Sequence, residues 1–356
     1  MPRKTIEEVN LLIVSLFSFL LVIGISVVIH ELGHFLFSIR FGVKVYEFAF
    51  GMGPAFFQKR RGETVYSLRA FPIGGFVRLA GMEEEQDGES APPERTYPSK
   101  TPFQRFAILA GGPLFNILLA IILTTALLAF HGILDVRTAT VGSTMGGYPA
   151  ERIGLSEGDR ILSINGKTVT DWESMSSTLR QEAPKGPISL VVDRNGEART
   201  FSVLVEKDRQ HGVPLLGIRP RNVRYSLPVA LYRSVGTAWE MTVSILRGLW
   251  TWAFGQQHVE FAGPVGIASM AGDAARQGWW SFISFLAVIN LNLGILNLFP
   301  FPALDGGRLS FLVGEMVTGR RLPSKWENLI HLAGFALLLA LIVFVTWKDI
   351  LRLTRP

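Results

Sequence analysis

From Leu11 to Ile29 the chain carries no charged residue, and this run restricts the folds open to it more than any other feature. A helix needs about 20 apolar residues to cross the hydrocarbon core of a bilayer, so the run reads as a spanning helix. Further apolar blocks reach Phe130, cover Trp279 to Phe299 and extend from about Leu329 to Val345. Composition agrees. With 48% hydrophobic and 18% charged residues over 356 positions and a mean hydropathy of +0.31, the chain is too apolar for an ordinary soluble protein. The fold expected is a polytopic α-helical membrane protein of about four transmembrane helices, with a membrane-associated β-hairpin region and an inserted α+β domain. The opening Met1-Pro2-Arg3-Lys4 imitates a secretory signal, but the apolar run exceeds a typical signal core and no small-x-small site follows. It reads as a retained span.

Cysteine is absent, which excludes a disulfide framework and any thiolate ligand or nucleophile. Metal ligands must be His, Asp or Glu. The net charge of +6 does not point to nucleic acid, because the basic residues flank apolar runs and no nucleic-acid motif accompanies them.

At the end of the first run stands His30-Glu31-Leu32-Gly33-His34. On a helix the two histidines share a face one turn apart, where both can reach one Zn2+ while Glu31 takes a proton from water. A chance match, with the histidines merely closing the span, is the alternative. Ionisable groups at membrane depth are costly, and function is the usual reason for them.

Beyond Arg40 the pattern alternates as strands do. Val45 to Phe50 leads into Gly51-Met52-Gly53-Pro54, a turn lies at Lys59 to Glu63, and a second set runs from Thr64 to Val77. These form one or more hairpins with apolar faces. They make either a small surface sheet or a hairpin dipping into the membrane, its edge open to an extended peptide. Glu83 to Lys100 is acidic and reads as a flexible loop. Gly111-Gly112-Pro113 opens the second span, where small residues permit close approach to the first helix; Asn116 follows, as a helix cap or a holder of a backbone or substrate group.

Between about Val136 and Arg224 polar residues and turns recur. Tyr148-Pro149-Ala150-Glu151-Arg152-Ile153-Gly154-Leu155, then Gly158-Asp159-Arg160-Ile161 and Ile164-Asn165-Gly166, resemble the PDZ signature of bacterial proteases. Glu151 and Ile153 depart from its small residues. A helix from Trp172 to Gln181 is capped by Thr170 or Asp171, and a last strand covers Leu215 to Arg219. Ser226 to Phe254 is an amphipathic helix suited to the interface. The third span carries Asn290, Asn292 and Asn297, then breaks at Pro300 and Pro302 ahead of Asp305. The resulting domains are 1–39, first span; 40–104, hairpin region and acidic loop; 105–131, second span; 136–224, PDZ; 225–278, interfacial helices; 279–328, third span with Leu-Asp-Gly; and 329–356, fourth span and tail.

A hydrolytic zinc site takes three protein ligands. Glu47, Glu63 and the acidic loop from Glu83 would complete a soluble-type set, whereas Asp305 would complete one inside the membrane. The setting of Asp305 in a broken apolar segment favours it. Asn297-Leu298-Phe299-Pro300-Phe301-Pro302-Ala303-Leu304-Asp305-Gly306, set beside the first motif, resembles the site-2 protease family of intramembrane zinc metalloproteases. In length and order the chain is similar to the bacterial regulator-of-sigma-E protease branch. Gly51 to Pro54, Gly112-Pro113 with Asn116, and Gly263-Pro264-Val265-Gly266 extend that match. The resemblance implies that His30, His34 and Asp305 bind Zn2+ and that Glu31 is the catalytic base. It gives Asn297 the substrate or its carbonyl, and makes Asn116, Gly51 and Gly53 further substrate-side candidates. Well-studied Gram-negative members carry two tandem PDZ domains; the soluble segment here accommodates one.

Basic residues from Arg40 to Arg105, with Arg308, Arg320, Arg321 and Lys325, put the segments after the first and third spans in the cytoplasm by the positive-inside rule. Lys348, Arg352 and Arg355 oppose this. The active site then lies near the cytoplasmic side of the bacterial plasma (inner) membrane, and the PDZ domain outside. The function expected is cleavage in or near the transmembrane segment of a single-span membrane protein already cut by another protease, such as an anti-sigma factor or a remnant signal peptide. Further partners are the lipid bilayer and a peptide or protein ligand of the PDZ domain, with no nucleic acid. The rival reading is a PDZ-bearing membrane adaptor with an inactive metal site; a transporter would leave the histidines unexplained.

Overall fold

The computed structural model describes residues 2–82, 89–207, 214–255 and 262–354. Glu83 to Gly88 of the acidic loop and Arg355 lie outside the described residues. The chain divides into two units, 1–125 with 231–356, and 126–230.

In the first unit, α1 (Pro2–Arg40) continues unbroken through both histidines. β1 (Val45–Arg61) and β2 (Thr64–Leu79) form one long antiparallel hairpin turning at Gly62. Each strand bends back on itself. Gly51 and Gly53 adopt positive φ at the bend of β1, where a Cβ on Gly51 would fall 2.6 Å from the Phe71 carbonyl oxygen. The bend lets residues 45–50 pair on two sides, with 75–79 across one edge and with 65–68, whose partners rise together, across the other. The order of segments is therefore 55–61, 64–69, 45–50, 75–79. Residues 75–79 form an outer edge. Phe35, Val43, Val45, Leu79, Ile108 and Leu109 close a core between sheet and helices. Beyond residue 88 the acidic loop is more ordered than its composition suggests. It makes two short 3₁₀ turns, buries Tyr97, and is tied by Arg78 to Glu89 and Arg95 to Glu63.

α2 (Pro102–Ala126) ends in a π-helical turn, Leu127–His131. It crosses α1 with nothing between the backbones. A Cβ on Gly33 would lie 2.8 Å from Gly112 N, and one on Gly111 would strike the Gly33 carbonyl at 2.8 Å. Helices in lipid gain little from burying apolar groups, so such close packing is what joins them.

The second unit contains β3 (Ile133–Leu134), β4 (Val141–Thr144), α3 (Pro149–Arg152), β5 (Arg160–Ile164), β6 (Lys167–Thr168), α4 (Trp172–Glu182), β7 (Ile188–Arg194), β8 (Glu197–Val203), β9 (Glu206–Lys207), β10 (Pro214–Leu215), β11 (Ile218–Pro220) and β12 (Asn222–Val223). Its main sheet has the order β6-β5-β7-β8. This is the PDZ domain, and the letters of the motif are its core: Ala150, Leu155, Ile161 and Ile164 are buried together. The two departures have local roles. Glu151 accepts the Gly147 N–H at 2.7 Å, and Ile153 packs against the core. Asp171 caps α4, its carboxylate taking the Ser174 N–H while the Ser174 hydroxyl accepts the Asp171 N–H. The expected strand from Leu215 to Arg219 is interrupted. Gly217 takes φ +81 and splits it into β10 and β11, which pair with β9 and β4.

α5 (Leu227–Ala253) is long and amphipathic, and is not among the four described helices apolar enough to span: Val9–Arg40, Pro102–His131, Trp279–Leu298 and Lys325–Leu351. α6 (Pro264–Gln277) packs on α1, with Ala271 against Val22. Its N-terminus is capped from another helix. Asp349, near the end of α9 (Ser324–Thr354), accepts the Gly266 N–H at 2.8 Å. α7 (Trp279–Leu298) is tied to α1 by Asn290, which donates to Ser26 Oγ at 3.0 Å, a contact worth about 0.6 kcal/mol between membrane helices. α8 (Asp305–Thr318) follows the proline break.

Asp159 of the Gly-Asp pair is 1% exposed. Burial opposes its ionisation, but Arg194, bonded to both oxygens at 2.6 and 2.7 Å, and the Ser156 N–H hold it below the ordinary carboxylate range. A lowered pKa adds stability that is complete above about pH 4 and is lost as pH falls through the folded value. Arg194→Gln should destabilise the domain, because it leaves the buried Asp159 carboxylate without its guanidinium partner. Amide exchange of β5 and β7 in the full chain should accelerate in the variant, whose residual protection should no longer fall on acidification in the way wild type does.

Candidate metal centre

His30 and His34 present their Nε2 atoms 3.2 Å apart on one face of α1. Asp305 Oδ2 lies 3.0 Å from His30 Nε2 and 3.4 Å from His34 Nε2. Among the described residues this is the one group of His, Asp or Glu side chains able to share an ion, its donor atoms all within 4.8 Å of one another.

The surroundings prepare the donors. His34 Nδ1 lies 2.8 Å from the Ile108 carbonyl oxygen of α2. A carbonyl only accepts, so Nδ1 carries the proton and Nε2 keeps its lone pair for a metal. His30 Nδ1 faces the side-chain amide of Asn116 at 3.4 Å, and Asn116 Oδ1 is buried without another partner. With the amide turned so that Oδ1 accepts from Nδ1–H, His30 Nε2 is freed in the same way, and the amide nitrogen takes the buried position that Oδ1 leaves. Two neutral imidazoles and a carboxylate are donors that zinc accepts. Gly112 makes room for them: a Cβ there would lie 2.8 Å from His30 Nε2 and closer still to His34 Nε2.

A cavity of about 160 Å³ opens beside the donors, lined by Glu31, Phe76, Val77, Ile108, Asp305 and Arg308 among others. Glu31 lines this cavity together with Phe76 and Val77 of the edge strand, and a Cβ on Gly75 would lie 3.4 Å from Glu31 Cγ, so the edge strand runs against the turn of α1 that holds the histidines. Asp305 arrives through an irregular segment. Ala303 sits at φ +82, a conformation costing a non-glycine residue about 1–2 kcal/mol. Its N–H donates to His331 Nδ1 at 3.0 Å, and that imidazole packs edge-on against Phe311. Arg105 of α2 then holds Glu315 of α8 through both carboxylate oxygens, at 2.6 and 3.0 Å. Loop and helix are thereby fixed from two sides.

The alternative third donors are engaged elsewhere. Glu47 is buried with Ser67, Arg69 and Arg78, and Glu63 is exposed on Arg95. Gly51 and Gly53 form the strand bend, away from the cavity wall. Asn297 is half-buried, also off that wall, with no side-chain hydrogen bond to another described residue. Asn116 reaches a histidine. Sequence reasoning missed His331, although an imidazole inside an apolar run was a signal of the kind that singled out His30.

Hydrolytic metal chemistry on spanning helices defines a class, the membrane-embedded metallopeptidases, and the donors and helices here fall within it. Comparison with known families makes it specific: the chain belongs to peptidase family M50, whose family model matches residues 18–341, and it is a site-2-type zinc metalloprotease. The zinc metalloprotease RasP of Geobacillus kaustophilus is 30% identical, over 94% of this chain and 97% of its own. The regulator of sigma-W protease RasP of Bacillus subtilis is also 30% identical, over 95% and 99%. The PDZ domain of an SdrC-like protein from Listeria monocytogenes aligns with 24% of this chain and 90% of its own at 16% identity, with a TM-score of 0.21.

Because Gly112 abuts both imidazoles, Gly112→Ala should displace them and lower zinc affinity at least tenfold, measured by metal content across a chelator series, with helical content unchanged. His331→Leu should cost about 10–100-fold in zinc affinity by releasing the loop before Asp305.

Proposed function

We propose that this intramembrane protease binds zinc through His30, His34 and Asp305, uses Glu31 as its base, and cleaves in or near the transmembrane segment of single-span membrane proteins. The convergence of the three donor atoms beside the sheet edge supports this reading most directly. Bound zinc supplies the Lewis acidity that makes a water nucleophilic near neutral pH. Glu31 takes the proton of that water on a carboxylate oxygen and passes it to the departing amide nitrogen. The amides of a helix are closed to attack, so substrate must be held extended. Residues 75–79, paired on one side only, offer a strand edge at the cavity wall, and Asn297 is the candidate for the substrate chain beyond it.

In alternating spans the end of α1, the start of α2, the end of α7 and the start of α9 share one face, and the donors sit at those ends. The basic residues there favour the cytoplasmic face of the bacterial plasma membrane, with the PDZ domain outside. The relative named for sigma-W regulation supports a sigma-factor regulator such as an anti-sigma factor, trimmed first by another protease, as substrate; a remnant signal peptide is the second candidate. In the PDZ domain a cavity of about 200 Å³ between α4 and residues 214–218, lined by Trp172, Met175 and Leu216, is the candidate peptide groove.

Glu31→Gln should keep zinc and lose about 10²–10⁴-fold in cleavage of a single-span substrate panel, a loss that rules out the adaptor reading; unchanged cleavage would overturn the assignment of Glu31 as base. Asp305→Asn should lose zinc while Glu63→Gln keeps it, and the reverse result would overturn the ligand assignment.

A further inference from the structure

A second polar cavity, of about 170 Å³, lies between α2, α8, the start of α9 and the turn at Tyr97. Arg105, Arg308 and Arg321 line it, against two carboxylates, Glu315 and Glu327. Both oxygens of Glu315 are taken by Arg105, which leaves Glu327 alone to balance two guanidiniums. No hydrogen bond or ion pair joins Arg308 or Arg321 to another described side chain. Arg105 has a side chain only 7% exposed, and its buried Nε has no partner. A buried guanidinium N–H left unpaired is destabilising, and a cavity with excess positive charge is a place for an anion to supply the acceptors.

We propose that this cavity binds a phosphate group, held by Arg105, Arg308 and Arg321 with Tyr97 at its wall. The tetrahedral oxygens of phosphate suit convergent guanidiniums. The site stands where α2 and α9 begin, at the rim of the spans, and the apolar Phe103 and Leu329 are exposed beside it. A basic pocket between spanning helices at that level is placed for the headgroup of an anionic lipid, and free phosphate offers the same chemistry without the acyl chains. Neither source requires the protease reading.

The test uses the purified, delipidated full chain, titrated separately with phosphatidylglycerol, phosphatidylcholine and inorganic phosphate, with binding read by native mass spectrometry. Phosphatidylglycerol should bind at least tenfold more tightly than phosphatidylcholine. Arg321 is exposed at the mouth, so Arg321→Gln should leave the fold intact while weakening that binding about tenfold or more, and Arg321→Lys should restore part of it. Saturable binding of inorganic phosphate that Arg321→Gln abolishes, without a lipid preference, assigns the site to free phosphate. Equal binding of both lipids with no phosphate binding overturns the proposal, as does a phosphatidylglycerol preference that Arg321→Gln leaves unchanged.

Discussion

The bare contact between α1 and α2 governs the rest of the structure. At Gly33, Gly111 and Gly112 the two backbones meet without side chains between them. That approach brings the Ile108 carbonyl to one histidine and Asn116 to the other, and leaves both Nε2 atoms turned toward Asp305. A single methyl group at the crossing would part the helices and disturb the tautomers as well as the packing. In lipid, where apolar burial does not favour helix against helix, a crossing of this kind is the available means of precision.

Much of this was legible in the sequence. Length and apolarity marked the spans, the spacing of the histidines put both on one face, and the proline break exposed Asp305. The PDZ motif was readable because its letters are core positions and turn formers, which local chemistry dictates. Other features depended on partners far along the chain. The folding-back of β1 and β2 is set by pairing on two sides, which alternation alone does not reveal. The acidic loop looked unstructured by composition, yet its described part is ordered by Arg78 and Arg95, residues whose partners no local pattern announces. The break at Gly217 follows from two sheets competing for one run.

Polar residues in the spans were the hardest to sort. Asn290, Asp349 and His30 are all unexpected in apolar helices, and a sequence treats them alike. In the structure Asn290 ties α7 to Ser26 and Asp349 caps α6, while His30 faces a cavity with two further donors. His331 belongs to neither kind: it touches no donor, but it supports the strained residue two positions before one. What separates the groups is convergence. A polar group answered by one neighbour is mortar, whereas three whose donor atoms lie within 4.8 Å of one another are able to share an ion.

The donors proposed for the metal stand near opposite ends of the chain, two on the first span and one beyond the third. During synthesis the first span enters the bilayer carrying its histidines long before Asp305 leaves the ribosome. Until the later helices have inserted and the loop before α8 has settled against His331, the set is incomplete. A protease that works within the membrane is thereby kept inert among the nascent proteins around it, by the order in which its own chain is made.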